Sequence, residues 1–284
     1  HAGPCSGKLQ RDGVYLGLVV TFVSYMLVVT WVSFFDYFVS FLWKVQLLKH
    51  RNDFKKARNE ILSYIPNTVT IANFFCGIIS IIASFLGYLY LAGALILIGM
   101  IFDGLDGKIA RKLNVFSEFG QKIDTRADYI SFGVAPAVFI LQFFVLQEWY
   151  FWGWALGALY FSAAIFRLKR FNSTGHSPFF EGVPAPIAAL WVVASLYSSL
   201  TYFPFLLMAS LLFTCWLMIS TFKYPHNESV KQQKFFQFLK LPSLVCIVLI
   251  IINLLGTGVF GFWANDILLG LTIIYYATPI LIKE

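Results

Sequence analysis

The sequence predicts an all-α, polytopic membrane helical bundle. Composition is the first reason. Of 284 residues, 59% are hydrophobic and 12% charged, so a water-soluble domain of this length would have too little polar surface to cover its apolar part. The second reason is the length of the uncharged runs: no Asp, Glu, Lys or Arg occurs in 67–102, 129–147, 182–222 or 241–265. A hydrocarbon core about 30 Å thick takes roughly 20 apolar helical residues per crossing. The third is that the basic residues fall in alternate connections between these runs, as the positive-inside rule requires.

In chain order, residues 1–48 form an N-terminal segment with one membrane span near 13–35, external at its N-terminus, followed by the interruption at Asp36. Residues 49–64 (KHRNDFKKARNEILSY) are charged, with Phe54, Ala57, Ile61 and Tyr64 recurring at helical spacing. That pattern predicts an interfacial amphipathic helix lying on anionic headgroups. Cutting the uncharged runs at Gly87 and at Tyr202-Phe203-Pro204 gives spans near 68–87, 90–112, 122–146, 150–170, 184–201 and 203–222, a core occupying 65–222. Residues 223–284 supply a cytoplasmic loop and a C-terminal helical pair near 241–260 and 265–282.

The net charge of +7 is explained by topology. Apart from Lys8, Arg11 and Lys283, every Lys and Arg lies in 44–58, 108–126, 167–170 or 223–240, while the connections near 88, 148, 202 and 262 have none. The clustered side is therefore cytoplasmic. This predicts a multi-pass protein of the cytoplasmic membrane with membrane lipids, and no nucleic acid, as partners. Cys5, Cys76, Cys215 and Cys246 are scattered, without metal or redox spacing. The four histidines likewise show no zinc-ligand pattern.

Four aspartates lie at or inside predicted spans: Asp103 and Asp106 on one, Asp124 and Asp128 at the start of the next. An ionised carboxylate deep in a bilayer costs about 2.5–3.5 kcal/mol, so four together require a cationic partner. At about 100° per residue, Asp103 and Asp106 differ by roughly 60° around their helix, and Asp124 and Asp128 by roughly 40° around theirs. Each pair faces one way. The short connection from Arg111 to Gly120 makes the two helices antiparallel neighbours, gathering all four carboxylates near the cytoplasmic end. Hard oxygen ligands in this arrangement suit Mg2+ or Mn2+, which complete their shells with water and substrate phosphates. Gly104, Gly107, Ala110 and Gly120 remove side-chain bulk around the acids. Singly, each fits plain helix packing of the small-x-x-small kind; beside four acids and Arg111 they fit room for a large polar ligand.

The string Asp103-x-x-Asp106-Gly107-x-x-Ala110-Arg111-x8-Gly120-x3-Asp124-x3-Asp128 resembles the full signature of the CDP-alcohol phosphotransferase family. The resemblance covers about 65–222 and implies that family's six-helix core, with the N-terminal span and the two C-terminal spans as additions. Pro66-Asn67-Thr68-Val69-Thr70 with Asn73 and Phe75-Cys76-Gly77 carry the likeness further. So do Ser131-Phe132-Gly133-Val134-Ala135-Pro136, Arg167-Leu168 with Arg170-Phe171-Asn172, and Gly182-Val183-Pro184-Ala185-Pro186. These stretches are most similar to the serine-accepting branch, the CDP-diacylglycerol:serine phosphatidyltransferases. Two departures stand out: Arg126 replaces that branch's usual leucine, and Ile123-Asp124-Thr125 its Leu-Asp-Ser. Arg126 sits about 200° from Asp124 around the helix, turned toward headgroups or another helix.

The resemblance implies a CDP-activated lipid, CDP-diacylglycerol or CDP-archaeol, whose phosphorus is attacked by an alcohol, L-serine in this branch, with release of CMP. It implies Asp103, Asp106, Asp124 and Asp128 as metal ligands, with Asp128 also the catalytic base. Thr70, Asn73, Gly107, Ala110, Arg111 and Gly120 are implied at the nucleotide and CDP-lipid site, and a homodimer as the assembly. An amino-acid acceptor needs a cation for its carboxylate. Arg167 and Arg170 supply one, or else are ordinary positive-inside anchors; Ser131 and Asn172 are further acceptor-binding candidates. Two alternatives stay open on the residues alone: the same chemistry with glycerol phosphate, inositol phosphate or choline, and an ion or metal transporter using intramembrane acids.

Overall fold

The computed structural model describes residues 54–115, 118–174, 179–225 and 263–281, with 33, 37, 40, 41, 44, 45, 247, 248 and 250–252 besides. The predicted span at 13–35 and most of that at 241–260 lie outside the described residues. Contacts divide the chain into two units, His1–Tyr64 and Ile65–Glu284. In the first, the described residues are helical.

Eight labelled helices carry the architecture: α1 (Phe54–Phe85), α2 (Leu89–Leu113), α3 (Glu118–Asp128), α4 (Ala135–Leu146), α5 (Tyr150–Thr174), α6 (Ala185–Leu196), α7 (Pro204–Ile219) and α8 (Trp263–Leu281). A π-helix, Tyr129–Val134, joins α3 to α4 without a break. Among the described residues, four stretches are long and apolar enough to cross a bilayer: Ile61–Phe85, Leu89–Leu113, Gly120–Leu146 and Tyr150–Phe171. The chain is a polytopic helical membrane protein.

Three features differ from the sequence expectation. Residues 54–64 do not form a separate helix, because α1 runs on through Pro66. The predicted spans 184–201 and 203–222 contain shorter helices. α6 stops at Leu196, where Ser198 caps a 3-10 turn over Ser199–Tyr202, and α7 stops at Ile219. Finally, two extended segments pair: β1 (Phe179–Glu181) runs antiparallel to β2 (Lys223–Pro225), with Phe180 opposite Tyr224. The chain leaves α7 extended at Ser220 and enters α6 through Gly182, whose φ of +74° disfavours other residues. Two short segments emerging side by side satisfy their backbone groups by pairing with each other.

The core explains the weak amphipathicity of the central helices. In α6, Ala188 through Leu196 are all buried, as expected of a helix enclosed on every side. α5 packs closely on α4 because it offers glycines one turn apart. A Cβ at Gly153 would stand 2.9 Å from the Leu141 carbonyl, and one at Gly157 2.9 Å from that of Ala137. Outward faces remain apolar, as with Ile71, Phe75, Ile79 and Ile82 along α1, a stripe suited to lipid. α8 is fixed to the core at two levels. Asp266 accepts from Ser199 N and Oγ at 2.9 and 3.1 Å, and the rings of Trp191 and Tyr276 lie 5.2 Å apart.

Candidate active site

α1, α2 and α3 bring the acidic residues together. α2 carries Asp106 about two turns and Asp103 nearly three turns before its C-terminus, which Asn114 ends in a left-handed conformation with its N–H on the Ala110 and Arg111 carbonyls. Gly120 lies in the first turn of α3, and Asp124 and Asp128 follow one and two turns later. One carboxylate oxygen from each of Asp103, Asp106 and Asp124 fits within 4.8 Å of the others. Asp128 interacts electrostatically with all three, and its carboxyl reaches that of Asp103.

The surroundings show what the cluster lacks. Asp106 is buried, and Thr70 Oγ1 on α1 donates to its Oδ2 at 2.6 Å. Asp124 Oδ1 and Asp128 Oδ1 are buried and have no hydrogen-bond donor among the described residues. Clustered anionic oxygens without donors are costly in a low dielectric. They fit a divalent cation, and the all-oxygen donor set suits a hard one.

The nucleotide-side candidates lie on the same three helices, and of them Thr70, Gly107 and Arg111 interact with Asp106. Arg111 turns back over its own helix, its guanidinium nitrogens 3.8 Å from where a Cβ on Gly107 would stand. Gly104 has nothing within 4 Å of such a Cβ. Ala110 lies between Gly107 and the end of α2. Asn73 is fully buried, and both polar atoms of its carboxamide are without partners among the described residues. Gly99 makes room for it, since a Cβ there would stand 2.8 Å from Asn73 Oδ1. Arg126 is exposed.

The acceptor candidates separate. Arg167 is buried, donates from Nε to the Val183 carbonyl at 3.2 Å, and interacts electrostatically with Asp128 and with Tyr275 of α8. Arg170 has a structural task. Its Nη1 donates to the Ile219 carbonyl at 3.0 Å, and its Nη2 lies 2.6–3.3 Å from those of Glu181, Met218 and Ser220. The guanidinium thus ties the ribbon to the end of α7. Ser131 is also engaged elsewhere: its buried hydroxyl donates to the Asn73 carbonyl at 3.0 Å, against Gly77 of α1. Asn172 is in the last turn of α5, and its side chain lies outside the described residues. Tyr160 belongs to no motif in the sequence, yet its hydroxyl donates to the Phe132 carbonyl in the π-helix at 3.1 Å. The available signal was Pro136, four residues after Phe132.

A family model for CDP-alcohol phosphatidyltransferase matches residues 63–216, the stretch that supplies every one of these acids. The chain belongs to that family. Family members generally depend on a divalent metal, and the aspartate cluster fits one. Similar proteins include a CDP-diacylglycerol--serine O-phosphatidyltransferase of Bacillus subtilis, 36% identical over 166 residues, covering 58% of this chain and 92% of the relative. Another of that name from Helicobacter pylori is 34% identical over 223 residues, covering 75% and 90%. An archaetidylserine synthase of Methanothermobacter thermautotrophicus is 34% identical over 180 residues, covering 60% and 74%.

Proposed function

We infer that this CDP-alcohol phosphatidyltransferase moves a phosphatidyl or archaetidyl group from a CDP-activated lipid to the hydroxyl of L-serine, releasing CMP. The observation that carries this is the cluster of Asp103, Asp106 and Asp124 with Asp128 beside it and donor-free buried oxygens on Asp124 and Asp128, in a chain whose relatives are named CDP-diacylglycerol--serine O-phosphatidyltransferase and archaetidylserine synthase. Asp103, Asp106, Asp124 and Asp128 would hold the metal, Mg2+ or Mn2+. When bound, the metal neutralises pyrophosphate charge as the leaving phosphate departs.

Asp128 accepts the hydroxyl proton as the serine oxygen bonds to the lipid-side phosphorus; the bond from that phosphorus to the CMP oxygen breaks, and CMP takes the electron pair. What supports Asp128 as the base is its place beside the cluster with one carboxylate oxygen lacking a donor. Arg111 holds phosphate through its forked donors. Thr70 orients Asp106, while Asn73, Gly107, Ala110 and Gly120 border the nucleotide. Arg167 receives the serine carboxylate, a role supported by its burial and its coupling to Asp128. The distribution of basic residues supports a site facing the cytoplasm from the cytoplasmic membrane. The family resemblance supports a homodimer.

The test is CMP release by purified protein given CDP-diacylglycerol or CDP-archaeol with L-serine, glycerol phosphate, inositol phosphate or choline. Labelled product is expected with serine alone, silenced by EDTA and restored by Mg2+ or Mn2+. Transfer only to another alcohol overturns the acceptor; turnover without metal overturns the site.

A further inference from the structure

We propose that Pro136 and Tyr160 are positioning residues that aim Asp128, by holding open the π-turn between the acidic and packed halves of one membrane helix. The proposal rests on the reading of Asp124 and Asp128 as members of the metal-and-base site.

Residues 120–146 form one continuous span, yet its two halves have different tasks. α3 must present Asp124 and Asp128 to Asp103, whereas α4 must present Ala137 and Leu141 to the glycines of α5. The relative direction of these faces depends on the turn between them. A π-turn closes from i to i+5 rather than i+4 and so takes up one extra residue, equivalent to about 100° of α-helical advance. Closing Tyr129–Val134 into ordinary α-helix, with α4 still seated on α5, would turn the two aspartates away from Asp103 by about that angle.

The sequence contains the cause of this turn. In an α-helix the Phe132 carbonyl would accept from the N–H of residue 136, but that residue is Pro136. Proline has no N–H, and its ring presses on the carbonyl four residues earlier. The observed backbone relieves this with an i to i+5 bond, Ala135 N–H to the Ile130 carbonyl. The Phe132 carbonyl is then taken by Tyr160 Oη at 3.1 Å, with Phe132 and Tyr160 both almost fully buried. At this depth water is no substitute for the tyrosine. On the opposite side Ser131 Oγ ties the turn to the Asn73 carbonyl at 3.0 Å. The π-turn is thus caused by one residue and fastened by two.

The test uses the full chain in detergent micelles, with Mn2+ affinity from the electron paramagnetic resonance signal of free ion, a thermal melt and CMP release. Pro136→Ala restores an N–H to the Phe132 carbonyl and lets the helix close. Mn2+ affinity and kcat should fall by about 10–100-fold, as when metal-orienting groups are lost, while the melting temperature holds or rises, since alanine suits a helix interior better than proline. Tyr160→Phe should weaken Mn2+ binding in the same direction. In the double variant the loss should equal that of Pro136→Ala alone, because the carbonyl already has a donor there. Wild-type Mn2+ affinity in both single variants, a melting temperature that falls in step with affinity, or additive losses would each overturn the proposal. Normal Mn2+ binding by a wild-type protein that releases no CMP with serine would instead sink the assigned reaction and leave this inference standing.

Discussion

Thr70 Oγ1 and Asp106 Oδ2 meet at 2.6 Å between α1 and α2. The threonine's single proton goes to the carboxylate, the shorter and charge-assisted contact, with the Pro66 carbonyl 3.1 Å behind it. α1 contributes none of the acids, yet it fixes the orientation of one of them.

Thr70→Val keeps the shape and removes that donor. It should raise the metal concentration giving half-maximal CMP release by about tenfold or more, the usual effect of losing a group that orients a ligand. Thr70→Ser should restore most of the affinity. Equal metal titrations for wild-type and valine proteins would show that Asp106 needs no such orientation.

Asp128→Asn replaces the proposed base with a nearly isosteric amide. CMP release should vanish while circular dichroism and membrane insertion match wild type, because the Asp128 Oδ1 atom has no donor among the described residues whose bond the change would break. Substantial turnover in the purified variant would remove Asp128 from the proton transfer.

These acids are legible in the sequence because helical geometry turns spacing into direction: residues three or four apart share a face, and a short connection forces adjacent helices antiparallel. Arg170 was harder to read. Its basic character and place near a helix end matched an acceptor ligand, but its partners are backbone carbonyls of residues 181 and 218–220, a proximity that no local pattern encodes. The continuity of α1 through Pro66 escaped for a related reason. A charged segment and an apolar one differ in solvent, and composition reports that boundary while the backbone ignores it. The β1–β2 pairing is likewise a long-range event between two segments of three residues, too short for period-2 alternation to register.

Gly77 on α1 and Gly107 in the aspartate signature should behave differently when given a methyl group. Gly77→Ala would place a Cβ 2.6 Å from Ser131 Oγ and 3.0 Å from its Cα, where backbone cannot yield cheaply. The cost should be about 1–3 kcal/mol, seen as a lower melting temperature. Gly107→Ala meets only Arg111 nitrogens at 3.8 Å, an ordinary contact, so its melting temperature should be unchanged or higher. If Gly107 borders the CDP moiety, the same variant should raise KM for the CDP-lipid. An unchanged KM would assign this glycine to packing alone.

The two arginines of α5 give the sharpest separation of structure from acceptor recognition. Arg170→Ala leaves the carbonyls around Gly182 without their shared donor and should destabilise the protein by about 1–3 kcal/mol. Arg170→Lys should recover only part of this, since one ammonium does not reproduce a planar fork reaching several oxygens. Arg167→Lys keeps a cation beside Asp128 but loses the geometry that suits a carboxylate. It should raise KM for serine by about tenfold, the cost of a bond to a charged group, while KM for the CDP-lipid stays near wild type. The comparison requires steady-state kinetics with each substrate varied in turn, together with a thermal melt of every variant. A parallel rise in both KM values, or a melting temperature for Arg167→Lys as low as that for Arg170→Ala, would make Arg167 a second structural anchor and leave the serine carboxylate to be held by another group.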